Sequence, residues 1–228
     1  DGDSPTGHDL RDLPSATSLY NVLRDARTAA RNNERMALAD GDHAFINRAD
    51  WVGVIDNAIA VLTQHSKDLE ITAWLIEALT RSYGFRGLAA GFRLARELIE
   101  HYGEDLHPHP DEDEGKAAQL AALTGLNGLG SEGALIPPLK AIALTAGSSP
   151  APFSAWQCEQ AFEVERIKDP AKREARSKRG FITRAEIDQA VAETPPSFFL
   201  ELHQELIAAL ADYEQYQSAT DSYCADDP

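Results

Sequence analysis

The stretch from Ser66 to Glu114, SKDLEITAWLIEALTRSYGFRGLAAGFRLARELIEHYGEDLHPHPDEDE, constrains the fold more than any other part of the chain. Ile71, Trp74, Leu75, Ala78 and Leu79 recur at the three-and-four spacing that puts side chains on one face of an α-helix, and Gly84 supplies a stop. Leu88, Phe92, Ala95, Leu98, Ile99 and Tyr102 then make a second stripe. Gly87 and Gly91 sit four apart inside that second helix, where a glycine costs about 0.5–1 kcal/mol relative to alanine. Their presence predicts close approach by a neighbouring helix. Pro108 and Pro110 bias His107 and His109 toward extended backbone, so Leu106 to Pro110 is expected to be a rigid loop.

The same period runs through most of the chain. A polar arm over residues 1–15 leads into a short helix near Leu19 to Asn32. Asp50 reads as the N-cap of a helix over 51–64, with Trp51, Val54, Ile55, Ala58, Ile59 and Leu62 on its apolar face, and Ser66 reads as the next cap. Residues 116–128 and 132–145 suggest two further helices, the second with Pro137 and Pro138 in its first turn, where a missing N–H costs least. Ser154 with Gln157 and Thr183 with Glu186 fit capping boxes. Thr194-Pro195-Pro196 opens a last helix with Phe199, Leu202, Leu206, Leu210 and Tyr213 as its stripe. No alternating Val/Ile/Thr-rich run bounded by turns is present. The fold class expected is all-α, a multi-helix antiparallel hairpin bundle.

Charge narrows the choice of partner. A formal net charge of -16 repels nucleic-acid phosphates and anionic membrane surfaces, leaving proteins or cations. No apolar run approaches the roughly 20 residues that span a bilayer, so membrane insertion is not expected. Cys158 and Cys224 form no C-x-x-C pair, and a reducing cytoplasm is the expected setting. Against the acidic background, Arg166, Lys168, Lys172, Arg173, Arg176, Lys178, Arg179 and Arg184 form one basic island.

Only one cluster resembles a metal site: His101, His107, His109, Asp111, Glu112, Asp113 and Glu114. Zinc needs ligands converging on a tetrahedron, whereas an extended His-Pro-His-Pro points successive rings apart. Calcium loops alternate their carboxylates around a glycine turn, and DEDEG presents them consecutively. No nucleophile elbow, Walker loop or H-E-x-x-H occurs. The expectation is a protein without catalytic residues, metal or cofactor. Leu106, His107, Pro108, Asp111, Glu112 and Asp113 are the candidate partner-binding residues, because prolines pre-order the loop and acids expose it.

The run Trp51, SKDLEITAWLIEALTRSYGFRGLAAGFRL, LHPHPDEDE, LTGLNG and PPLKAIALT, preceded by SPTGHDLRD with Pro5, Gly7, Asp9, Leu10 and Arg11 in order, resembles the ImpA-type N-terminal domain of TssA and related type VI secretion proteins. GFITRAEIDQAVAETPPSFF resembles the segment that follows it. The resemblance implies a non-enzymatic bacterial cytoplasmic component that docks on baseplate, sheath or tube proteins during assembly. A generic helical-repeat peptide-binding adaptor is the alternative. The expected organisation is an ImpA-type domain over 1–147, a loop with a short helix and the basic island over 148–182, a helical extension packing on the first part over 183–217, and a linker over 218–228. Assembly into a large ring is expected to need a C-terminal region beyond it.

Overall fold

The structure is a computed structural model and describes residues 4–12, 18–39, 46–111, 113–128, 130–147, 152–177 and 182–225. The described residues form ten α-helices, two short 3-10 turns and no strand, with a few isolated bridges between loops. The helices are α1 (Leu19–Ala39), α2 (Arg48–Gln64), α3 (Leu69–Tyr102), α4 (Gly115–Gln119), α5 (Ala121–Asn127), α6 (Ile136–Lys140), α7 (Ala155–Glu165), α8 (Pro170–Ser177), α9 (Arg184–Glu193) and α10 (Pro196–Cys224). They divide into two compact units, one made of Asp1–Leu139 with Ile207–Pro228, the other of Lys140–Leu206. The all-α class is therefore as expected.

α3 is the spine of the first unit. Gly84, at φ 61° and ψ −138°, interrupts its helical backbone and divides it into two arms. That conformation is open to glycine and costly for a side chain. The second arm folds back on the first: a Cβ on Gly87 would lie 2.1 Å from the Leu79 carbonyl oxygen, and one on Gly91 would lie 2.8 Å from Ile76 Cγ1. The neighbour that the two glycines admit is thus the same helix before its break.

The first arm is buried on nearly every side because it separates two cores. Ile71, Trp74, Leu75 and Ala78 pack with Leu23, Trp51, Val54, Ala58 and Val61 of α1 and α2. Leu69, Ala73 and Ile76 face the other way, toward Leu88, Phe92, Leu98, Leu123 and Leu126. A helix apolar all round belongs in such a position. Ala209 and Tyr216 of α10 complete the second core, with Tyr216 and Tyr213 stacked near Phe92 at 5.1 and 5.0 Å between centroids.

Several local expectations are corrected. Asn47, and not Asp50, caps α2, its side chain accepting from the Ala49 amide at 3.1 Å; Asp50 belongs to the first turn. Ile59 is 46% exposed, and Val61 takes the buried place on α2. α1 continues to Ala39. Residues 132–145 hold only the five-residue α6, since Pro137 and Pro138 remove two donors and the Leu144 amide bonds the Phe153 carbonyl at 2.7 Å. α10 runs on to Cys224 through most of the expected linker, and Leu210, placed on its apolar stripe by the sequence, is 48% exposed. The helix is instead rotated to bring Ala209, Asp212 and Tyr216 inward, and Asp212 pairs with Arg93 at 2.8 Å.

The second unit has a small core of Phe153, Ala161, Ile182, Ile187 and Ala190. Both capping boxes form there: Gln157 accepts the Ser154 amide at 2.7 Å and Glu186 the Thr183 amide at 2.7 Å.

Candidate docking site

Three separated sequence segments meet at the start of α3. The first is the arm before α1. Its Thr6 carbonyl accepts the Lys67 amide at 2.8 Å, and Gly7 makes an antiparallel bridge with Ser66. Gly7 is at φ +76°, and a Cβ there would lie 1.9 Å from the His65 carbonyl oxygen, so only glycine lets the arm close on the turn.

The second segment is the turn itself. Asp68, not Ser66, caps α3, its Oδ1 accepting the Glu70 and Ile71 amides at 2.9 and 3.0 Å. Ser66 lies two residues before the cap position, its backbone bridged to the arm. Arg11 spans the junction, with Nη2 at 2.8 Å from Asp68, Nη1 at 3.1 Å from Glu70 and Nε at 2.9 Å from Asp9. Burial raises the Asp68 pKa, while Arg11 and the capping amides act to lower it. Tyr20 donates to Glu70 at 3.0 Å.

The third segment is the His-Pro-His-Pro loop. The Lys67 carbonyl accepts the His107 amide at 3.0 Å, and the His107 carbonyl accepts the Leu69 amide at 2.8 Å, so Asp68 and His107 pair in parallel. His107 Nε2 lies 3.3 Å from the Gly7 carbonyl oxygen, and the His107–Pro108 peptide is cis. Leu106 is 1% exposed within the core, and its carbonyl accepts from Gln119 at 2.9 Å.

The six nominated residues consequently separate into two groups. Leu106 and His107 are buried and fasten the loop, which removes them from any surface a partner can touch. Pro108 is half-buried, while Asp111 and Asp113 are exposed. Glu112 lies outside the described residues. Asp111 folds its carboxylate back on the chain, accepting the Asp113 and Glu114 amides at 2.8 and 3.0 Å, and these two bonds hold its pKa below the usual carboxylate range. The nominated loop is rigid at its base and acidic at its tip.

The junction's own ionic residues, Arg11, Asp68 and Glu70, were visible only as parts of two motifs 57 residues and more apart. Their opposite charges were the one hint that they meet. Among the described residues no group of three or more His, Cys, Asp and Glu is placed to hold a metal ion, and no helix is long and apolar enough to cross a membrane. Of the basic island, Arg166, Lys168 and Lys172 are exposed, Arg184 pairs with Asp188 at 2.7 Å, and Lys178 and Arg179 lie outside the described residues.

An all-helical scaffold in which the arm, the turn and the His-Pro-His-Pro loop lock one another, with Asp111 and Asp113 left exposed, defines the class of domain. The chain belongs to the family of ImpA N-terminal domains of the type VI secretion system, whose family model matches residues 1–128. Among solved structures it is similar to the N-terminal domain, including the conserved ImpA_N region, of the TssA component of the type VI secretion system from Burkholderia cenocepacia. That likeness has a TM-score of 0.80 and 27% identity, and covers 99% of this chain and 80% of the other. No curated protein matches the chain.

Proposed function

We propose that this TssA-like N-terminal domain is a non-enzymatic docking component of a type VI secretion apparatus. It acts in the bacterial cytoplasm and grips a baseplate protein, or a sheath or tube protein, during assembly. The loop over residues 106–113 is the contact, with Asp111, Glu112 and Asp113 as its charged tip and Pro108 behind them. Leu106 and His107 hold the tip in one position, so little conformational entropy is lost when a partner binds.

The observation that carries this reading is the junction of arm, turn and loop, where His107 is bonded on both sides of its backbone to Lys67 and Leu69. A loop fixed this firmly at its base, with Asp111 and Asp113 exposed, is suited to a basic surface. The helical-repeat alternative gains no support from the sequence, in which the helical hairpins do not recur at a fixed 34-residue period with matching residues.

The test uses purified baseplate, sheath and tube proteins in a surface-binding assay. Replacing Asp111, Glu112 and Asp113 together by Ala is expected to weaken one of these partners at least about tenfold, the factor that 1.4 kcal/mol represents. Thermal melting should stay within a few degrees of the parent. Undiminished binding to every partner rejects the loop as the contact.

A further inference from the structure

A cavity of about 350 Å³ opens between α1, the first arm of α3 and α5, lined by Arg27, Arg31, Trp74, Ala122, Gly125 and Glu132 among others. Two of its lining arginines, Arg27 and Arg31, reach a fully buried charge, Glu77. The Glu77 side chain is 0% exposed and sits among three guanidiniums, with Arg27 Nε at 2.6 Å, Arg81 Nη1 at 3.2 Å and Arg31 Nε at 3.6 Å. Arg81 also reaches Glu34 at 2.8 Å and lies over the Trp51 ring at 4.3 Å. Three guanidiniums thus share two carboxylates, and one positive charge is in excess.

The geometry identifies Arg31 as the carrier of that excess. Arg27 is 18% exposed, bonds Glu77 closely and lies over the Trp74 ring at 5.4 Å, and Arg81 is 3% exposed. Arg31 is 42% exposed, and its charged contact among the described residues is the long one to Glu77, beyond hydrogen-bond distance. A guanidinium with its donor fork unengaged favours a carboxylate, which it binds through two parallel bonds. Of the acids at the cavity, Glu70 is held by Arg11 and Tyr20, while Glu132 is exposed. Glu132 disfavours an occupant that is acidic along its whole length. The remaining wall is of small residues; a Cβ on Gly125 would meet nothing within 4 Å.

We propose that this groove receives a segment of a protein partner carrying a single Asp or Glu flanked by small apolar residues. Its carboxylate pairs with Arg31, and the flanking residues lie along Ala122 and Gly125, above the buried Trp74. Charge complementarity selects this occupant: a chain of net charge -16 repels acidic segments over most of its surface, and Arg31 offers one exposed, weakly engaged guanidinium beside a wall of small residues, which suits a single carboxylate. The inference does not rest on the acidic loop, since it involves none of the loop's residues.

The full 228-residue chain, labelled for side-chain NMR, is titrated with the blocked tripeptide N-acetyl-Ala-Glu-Ala amide. The Gln and Lys counterparts and inorganic phosphate serve as controls. The Glu peptide is expected to shift the Trp74 indole and Arg31 Nε resonances, with the Gln peptide at least about tenfold weaker, equivalent to 1.4 kcal/mol. Arg31→Gln should abolish the shift. Gly125→Phe, which obstructs the groove from open space, should abolish it with Arg31 intact, and the Asp111, Glu112 and Asp113 replacements should leave it unchanged. Equal response to the Glu and Gln peptides, a full response in either groove variant, or no response to any peptide overturns the proposal. A phosphate response that matches the Glu peptide at Arg31 and leaves Trp74 unmoved also overturns it, because the site then takes a free anion and not a protein segment.

Discussion

At the scale of single residues, a half-buried Tyr20 and a buried Tyr216 report on the two cores of the first unit. Burial and a hydrogen bond to Glu70 push the Tyr20 phenol up to about 12, and burial pushes Tyr216 up to about 12. A phenol raised in the folded state stabilises the fold in full below its unfolded value near 10, and that contribution disappears as pH climbs toward 12. In an alkaline titration followed by ultraviolet difference absorbance, Tyr20 and Tyr216 should therefore stay un-ionised past the ordinary range. They should ionise only as helical circular dichroism falls. Tyr216→Phe should blunt the alkaline loss of stability. Six tyrosines titrating together near pH 10 with the helices intact would contradict the burial described. In the sequence alone Tyr216 fits a partner surface, a core edge or solvent equally well.

Among the elements, the hairpin within α3 was the most legible and Gly87 the most informative residue in it. A glycine mid-helix is a standing cost, so its presence announced a close contact, and the contact is the Leu79 carbonyl. The two glycines should respond differently to alanine. At Gly87 the added methyl meets backbone, which cannot yield without opening the hairpin, whereas at Gly91 it first meets the Ile76 side chain. Alanine in a helix gains about 1 kcal/mol over glycine, yet Gly87→Ala is expected to destabilise by about 2 kcal/mol or more, in line with overpacked cores. Gly91→Ala should be milder. Urea denaturation of both variants measures the difference, and a stabilised Gly87→Ala would refute the packing. Helix ends were less legible: Asp50 and Ser66 are sound caps chemically, but α2 begins three residues earlier than expected and is capped by Asn47, and α3 begins after Asp68, which takes the role there.

For the whole molecule, the segment Ile207–Pro228 matters beyond its length, since it belongs to the first unit although the family model ends at residue 128. Ala209, Tyr213 and Tyr216 pack on Phe92, Asp212 pairs with Arg93, and Tyr223 donates to Gln119 at 2.6 Å. A chain ending at Leu206 uncovers that core. Deleting one large buried side chain costs about 3–5 kcal/mol, and whole-protein stability is about 5–15 kcal/mol, so the shortened chain should lose cooperative melting and bind a hydrophobic dye. A sharp melt at the parent temperature would show that the segment is dispensable. What the sequence determined alone is whatever depends on near neighbours: the helical period, the glycine break, the capping boxes, the proline-stiffened loop and the family motifs. What only the tertiary structure decided is which face each helix buries and which distant groups meet, as Leu210 turned outward, Leu106 and His107 turned inward, and Arg11 set on Asp68 all show. The reason is physical: a stripe of apolar residues is wider than the contact it makes, and ion pairs between remote segments leave no periodic trace in either one.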